Sequence, residues 1–167
     1  FLTRTLRAHP RGDAISRILA AAIDAVEPGK AVGRFISVEE GSLYIAGKPT
    51  EVKGKIVVLG IGKAAVAMTK QVASILGPRL QSGLVVTKHQ REAFIPNVEI
   101  LEGGHPIPDE RSLAAGKRVE ELVTPLGLDD LLICLISGGG SALMTSPVDC
   151  PDVGTSRIRR SIAATPQ

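Results

Sequence analysis

The first periodic stretch of the chain predicts a helix. Ile15, Ile18, Leu19, Ala22, Ile23 and Val26 recur at helical spacing on one face. Asp13 stands where an N-cap is expected, and Pro28-Gly29 ends the pattern. Residues 32–54 alternate in short stretches, Phe35-Ile36 and Ser42 to Ala46, punctuated by Gly41 and Gly47, which predicts a small β-hairpin or meander. From Lys55 the pattern becomes regular. Ile56-Val57-Val58-Leu59 is a continuous apolar run, as in a strand buried on both faces. After Gly60-Ile61-Gly62 comes a helix with Ala65, Met68, Val72, Ile75 and Leu76 on one face, stopped by Gly77-Pro78. Gly83 to Thr87 and Val98 to Glu102 predict two more strands. Asp109 caps a helix whose inner face is Ala115, Val119, Leu122 and Val123. Leu131 to Ile136 is a fourth strand, wholly apolar, running directly into Ser137-Gly138-Gly139-Gly140-Ser141.

Buried strands alternating with amphipathic helices imply an α/β domain, a doubly wound, mostly parallel Rossmann-like sheet with helices on both faces, over residues 1–148. Residues 149–167 break this order: Cys150-Pro151, Gly154, three arginines and Pro166 leave no sustained apolar face, and an irregular tail is expected there. An unpaired edge beside Leu131–Ile136 would be an aggregation hazard.

Composition narrows the function classes. The 167 residues suit one domain, and 44% hydrophobic with 22% charged residues excludes a disordered or low-complexity chain. Phe1, Phe35, Tyr44 and Phe94 are the only aromatics, too few for a platform on which nucleic-acid bases stack. The net charge of +3 comes from the ends, where Arg4, Arg7, Arg11, Arg157, Arg159 and Arg160 lie; residues 12–149 carry 14 basic and 16 acidic side chains. No nucleic-acid partner is therefore expected. Cys134 and Cys150 make neither a disulfide framework nor a metal cluster, and Cys134, inside an apolar run, reads as a buried inert thiol. The longest apolar runs are too short to cross a bilayer and no signal-peptide core is visible, so a cytoplasmic protein is expected. The chain opens on Phe1, so its natural N-terminus is expected to be missing.

In doubly wound folds ligands bind at the carboxyl ends of the strands, and three loops there carry candidate chemistry. Gly60-Ile61-Gly62-Lys63-Ala64-Ala65 is a GxGxxA pattern between strand and helix, where Gly60 and Gly62 let backbone approach an anion and free N–H groups attract phosphate. Lys63 adds a full positive charge suited to a transferring phosphoryl group. Val57 and Ala64 exclude a Walker A loop, and no acidic residue stands where a dinucleotide's ribose would need one. Thr87-Lys88-His89 disfavours NAD and leaves NADP open. In the second loop, Gly138, Gly139 and Gly140 expose N–H groups in a concave nest, flanked by the hydroxyls of Ser137 and Ser141. Leu143 excludes a nucleophile elbow. In the third, Gly103-Gly104-His105-Pro106-Ile107-Pro108-Asp109, His105 stands near the strand ends as a hydrogen-bond donor or acid/base group. No residue is assigned to a metal.

Three strings resemble landmarks of one family. Gly60-Ile-Gly-Lys-Ala-Ala-Val-Ala-Met68, Gly104-His-Pro-Ile-Pro-Asp-Glu-Arg111 and Ser137-Gly-Gly-Gly-Ser-Ala-Leu143 are similar to motifs of the glycerate 2-kinases, which carry a C-terminal MOFRL domain and were sometimes called hydroxypyruvate reductases. The resemblance covers residues 13–147 and implies transfer of the ATP γ-phosphate to D-glycerate, giving 2-phosphoglycerate, with Mg²⁺. It implies an active site in a cleft between a Rossmann-like N-terminal domain and a second domain, with Lys63 stabilising phosphate, His105 at the GHP position and Ser137 to Ser141 as a substrate or phosphate loop. Beyond Pro147 the family's continuation is absent, so half a clamp, with low activity alone, is expected. An NADP-dependent hydroxypyruvate reductase and a non-catalytic α/β remnant that binds anions weakly or supports homo-oligomerisation remain the alternatives.

Overall fold

The computed structural model describes residues 3–89 and 93–147; the tail expected at 149–167, with Cys150, lies outside them. The chain runs through helices α1 (Arg4–Ala8), α2 (Gly12–Ala25) and α3 (Pro28–Gly33) into strands β1 (Ile36–Glu39), β2 (Ser42–Ile45) and β3 (Lys48–Thr50). Strand β4 (Ile56–Ile61), helix α4 (Ala65–Leu76), a 3-10 turn (Gly77–Arg79) and strands β5 (Leu80–Thr87) and β6 (Val98–Glu102) follow. Helix α5 (Glu110–Val123), strand β7 (Leu131–Ile136) and the short α6 (Gly140–Leu143) complete it.

The main sheet has the order β6-β5-β4-β7, every pair parallel. The chain winds outward from β4 through β5 to β6, then returns across β4 to β7, so the switch point of this α/β fold lies between β4 and β7. Alternation along β4 divides the core. Ile56 and Val58 join Val72, Leu76, Ile133 and Leu135 under α4, while Leu59 and Ile61 join Leu84, Val86, Ala115 and Leu143 under α5 and α6. Both faces of β4 are covered, which is why its sequence shows no polar alternation.

The expected meander is present: β1, β2 and β3 pair antiparallel. Its turns, Glu40-Gly41 and Ala46-Gly47, have positive φ at both residues (49° and 80°, 51° and 73°), the backbone sense that matches strand twist in two-residue hairpins. Ile36 and Leu43 insert from it into the core under α4.

Several expectations need correction. The helix over residues 12–25 forms, but its apolar stripe faces outward: Ile18 is 68% and Val26 72% exposed, and Leu19 and Ile23 are also exposed. Periodicity reports which face is apolar, not whether a partner covers it. Asp13 lies inside the first turn of α2, where it complements the helix dipole, and the N-cap position is Arg11 without a side-chain cap. Pro28 opens α3 at its first turn, a place that suits its fixed φ and missing N–H. Cys134 is exposed, not buried, because β7 is an edge strand. Ile133 and Leu135 point into the core, while Cys134 and Ile136 point to a side that the described helices leave open. Partial burial still pushes the Cys134 thiol up, which keeps it protonated.

Asp130 ties the start of β4 to that of β7. Its carboxylate accepts the N–H groups of Lys55 (2.6 Å) and Gly127 (2.9 Å), and these bonds hold its pKa below the usual carboxylate value. The unfolded chain then binds more protons in acid. The contribution is complete above the ordinary aspartate pKa and fades as pH falls through the lowered one. Asp130→Asn is expected to lower the urea midpoint near neutral pH and to converge with the parent in acid. A pH-independent difference would contradict this.

Candidate active site

The three candidate loops converge at the carboxyl edge of the sheet. Ser137 N–H donates to Ile61 O (2.8 Å) and Lys63 N–H to Gly138 O (3.1 Å), stitching the loop after β4 to the loop after β7. Gly62, at φ +119°, packs so closely on Ser137 that a Cβ there would overlap the Ser137 hydroxyl and come within 2.5 Å of its carbonyl oxygen. A Cβ on Gly60 would stand 2.6 Å from the buried Thr69 hydroxyl of α4. The first glycine loop is thus a packing device that brings helix, strand and neighbouring loop together.

The donors lie elsewhere than the sequence suggests. Gly62 N–H donates to Val86 O (2.9 Å), Ala65 N–H to Gly62 O (3.2 Å) and Ala64 N–H to Ser137 Oγ (3.1 Å). With Lys63 N–H on Gly138, every N–H from Gly62 to Ala65 has a protein acceptor, so the start of α4 presents no open set. Ser137 Oγ is committed too, since it also donates to Ile61 O at 3.4 Å. In the second loop, by contrast, the N–H groups of Gly138, Gly139, Gly140 and Ser141 have no acceptor among the described residues. Gly139 takes φ +96°, and the chain then turns into α6. Successive unpaired N–H groups of this kind form an anion-binding concavity.

Lys63 and His105 stand over that concavity. A Cβ on Gly139 would be 3.0 Å from His105 Cδ2, 3.2 Å from His105 Nε2 and 3.3 Å from Lys63 Cε. The structure therefore gathers Lys63, His105 and the Gly138–Ser141 backbone around one spot, with Gly60 and Gly62 as the packed floor behind it. Burial, then the charge of Lys63, then that of Lys88 hold the His105 imidazole below the ordinary histidine pKa. It is neutral at neutral pH and able to accept a proton. Its Nδ1 is shielded from solvent with no partner among the described residues.

The loop carrying His105 is fixed by a residue the sequence reading passed over. Ser112 Oγ, fully buried, accepts the N–H groups of Gly104 (2.9 Å) and Asp109 (3.2 Å). Asp109 accepts in return from the N–H groups of Arg111 and Ser112, so its expected N-cap role is part of a reciprocal capping box at the start of α5. The signal was the spacing of Asp109 and Ser112. Burial opposes ionisation of Asp109, but hydrogen bonds from Arg111 and Ser112 prevail and keep its pKa low. Gly103 N–H donates to Thr87 O (3.0 Å), extending the β5–β6 ladder into the loop.

The described residues contain no group of three His, Cys, Asp or Glu side chains able to hold a metal ion. Lys63 and Lys88 beside the neutral His105 suit anions, and these described residues do not fit a protein-held Mg²⁺. Among the described residues no helix is long and apolar enough to cross a membrane.

A family model described as a domain of unknown function, DUF4147, matches residues 14–160. A glycerate 2-kinase of Pyrococcus horikoshii is 36% identical over 131 residues, 78% of this chain and 29% of that protein. A protein of Agrobacterium vitis that carries the name hydroxypyruvate reductase is 38% identical over 133 residues, 80% of this chain and 28% of its own length. The crystal structure of a glycerate kinase from Thermotoga maritima superposes with a TM-score of 0.64 at 33% identity, covering 80% of this chain and 30% of the other. The chain spans under one third of the length of these relatives.

Proposed function

The chain belongs to the DUF4147 family, as the N-terminal domain of the glycerate 2-kinases, and on that footing we propose that it serves ATP-dependent phosphorylation of D-glycerate to 2-phosphoglycerate in the cytoplasm. The observation that carries this reading is the convergence of Lys63, His105 and the N–H groups of Gly138 to Ser141, unpaired among the described residues, on one point at the switch of the sheet.

In the proposed step the Gly138–Ser141 N–H groups hold the non-bridging oxygens of the γ-phosphoryl group. Lys63 offsets the charge that spreads over those oxygens as the group transfers. The substrate hydroxyl oxygen forms the new P–O bond while the bond to the β-phosphate oxygen breaks, and ADP departs. Neutral His105 receives the hydroxyl proton at Nε2, the ring nitrogen on the Gly139 side. Mg²⁺ would arrive with the nucleotide, and no step depends on a protein ligand to it.

The reductase reading has the Agrobacterium vitis relative in its favour. Geometry favours it less, because the N–H groups of the GxGxxA loop that would cradle a dinucleotide pyrophosphate are already bonded within the protein. Coupled ADP release with D-glycerate, ATP and Mg²⁺ tests the proposal beside NADPH oxidation with hydroxypyruvate. Lys63→Ala is expected to lower kinase turnover by about 10²-fold or more, since it removes a transition-state charge contact. NADPH oxidation without ADP release, or turnover indifferent to Lys63, would refute it. Joining the chain to the two thirds of a relative that it does not span is expected to raise the rate, because positioning needs both walls of the cleft.

A further inference from the structure

Lys88 closes β5 one residue beyond Thr87, and β5 lies between β6 and β4. Its position is fixed from both sides. Gly62 N–H donates to Val86 O at 2.9 Å, and Gly103 N–H donates to Thr87 O at 3.0 Å. The lysine therefore emerges between the loop that carries Lys63 and the loop that carries His105. It is half-buried and has no ion-pair partner among the described residues. Glu102, the carboxylate paired in register with Thr87, lies 3.8 Å from Arg111. The field of Lys88, with that of Lys63, reaches His105.

Among the described residues no carboxylate pairs with Lys88, so its ammonium is open to an anionic group of a ligand. The Gly138–Ser141 nest and Lys63 already account for one anion, the phosphoryl group. Adjacent strands are about 4.8 Å apart, so the end of β5 stands one spacing from the end of β4, which leads to Lys63, and two from the end of β7, which leads to the nest. We infer that Lys88 fixes the carboxylate of the acceptor, so that the site selects small 2-hydroxycarboxylic acids over uncharged polyols of the same size. Its ammonium pairs with the carboxylate while the adjacent hydroxyl faces His105 and the phosphoryl group. This inference rests on the kinase reading and adds the residue that decides the substrate class.

Binding to the whole chain, measured by calorimetry with D-glycerate, glycerol, acetate and inorganic phosphate, tests it. Lys88→Gln is expected to weaken D-glycerate about tenfold to a hundredfold, the worth of a charge-assisted contact, and to leave inorganic phosphate unchanged. Lys88→Arg is expected to recover most of the loss, and glycerol to bind neither form measurably. If Lys88→Gln does not fold, the Nζ resonance of Lys88 in ¹⁵N-lysine-labelled parent protein decides: it shifts with D-glycerate and not with glycerol. An unmoved resonance, unchanged D-glycerate affinity in Lys88→Gln, or no carboxylate binding to the parent overturns the inference. If acetate binds as tightly as D-glycerate and both depend on Lys88, the lysine's role stands and the glycerate reading falls. ADP release without Lys88-dependent binding leaves the kinase and removes the lysine.

Discussion

Gly139→Ala is expected to abolish most phosphoryl transfer while leaving the fold in place. The residue sits at φ +96° in the loop whose unpaired N–H groups face the proposed phosphate. A methyl group there would meet His105 Cδ2 at 3.0 Å, His105 Nε2 at 3.2 Å and Lys63 Cε at 3.3 Å. All three atoms belong to side chains, and the lysine end can swing away, so no core contact is lost. The damage is functional: the methyl occupies the place proposed for the ligand, pushes both side chains aside and strains the nest. Misplacement of reacting groups by about 1 Å costs on the order of 10²-fold in rate, and at least that loss is expected. Stability should fall only by about 1–2 kcal/mol, the cost of an alanine at positive φ. Turnover and a urea titration on the same preparation check both halves. Unchanged turnover would mean that the nest is not where the phosphoryl group sits.

The main sheet was legible because its signals are local. Apolar runs at Ile56 and Leu131, with strand patterns at Gly83 and Val98 and helical periodicity stopped by Gly77-Pro78, lead directly to the parallel α/β arrangement. Burial of the helix at residues 12–25 was not legible, since an apolar stripe looks the same covered or bare, and Ile18, Leu19, Ile23 and Val26 are bare. Cys134 misled for a related reason: an all-apolar strand implies two covered faces, and β7 at the sheet edge has one of them open past Leu132. At the site, sequence named three loops that the fold brings together but could not apportion their donors. Whether an N–H is free depends on which carbonyl a neighbouring loop brings up. Val86, Gly138 and Ser137, which take the donors of Gly62, Lys63 and Ala64, are 24, 75 and 73 residues away along the chain. The place of Lys88 between two of these loops was not legible either, because the crossover that sets β5 between β4 and β6 is a property of the topology.

Gly62→Ala separates the packing role of the GxGxxA loop from a ligand role, and its effect on stability is expected to be the larger of the two. The residue combines φ +119° with a Cβ position that overlaps the Ser137 hydroxyl and lies 2.5 Å from Ser137 O and 2.7 Å from Ser137 C. Backbone atoms cannot rotate away as a side chain can. The two loops must part, which breaks Ala64 N–H to Ser137 Oγ, Lys63 N–H to Gly138 O and Ser137 N–H to Ile61 O. Strain at such a backbone angle costs about 1–3 kcal/mol, and overpacking typically adds about as much again. A total near 4 kcal/mol is a large part of the roughly 5–15 kcal/mol that stabilises a domain. Gly77→Ala supplies the control, with positive φ (+53°) but nothing within 4 Å of the added methyl, and should lose only the strain of its backbone, about 1–3 kcal/mol. Chemical denaturation of the two variants beside the parent measures the difference. Equal losses would show that backbone conformation alone demands glycine at position 62, and the close contact of the β4 and β7 loops would lose its place as the reason this motif sits at the switch point.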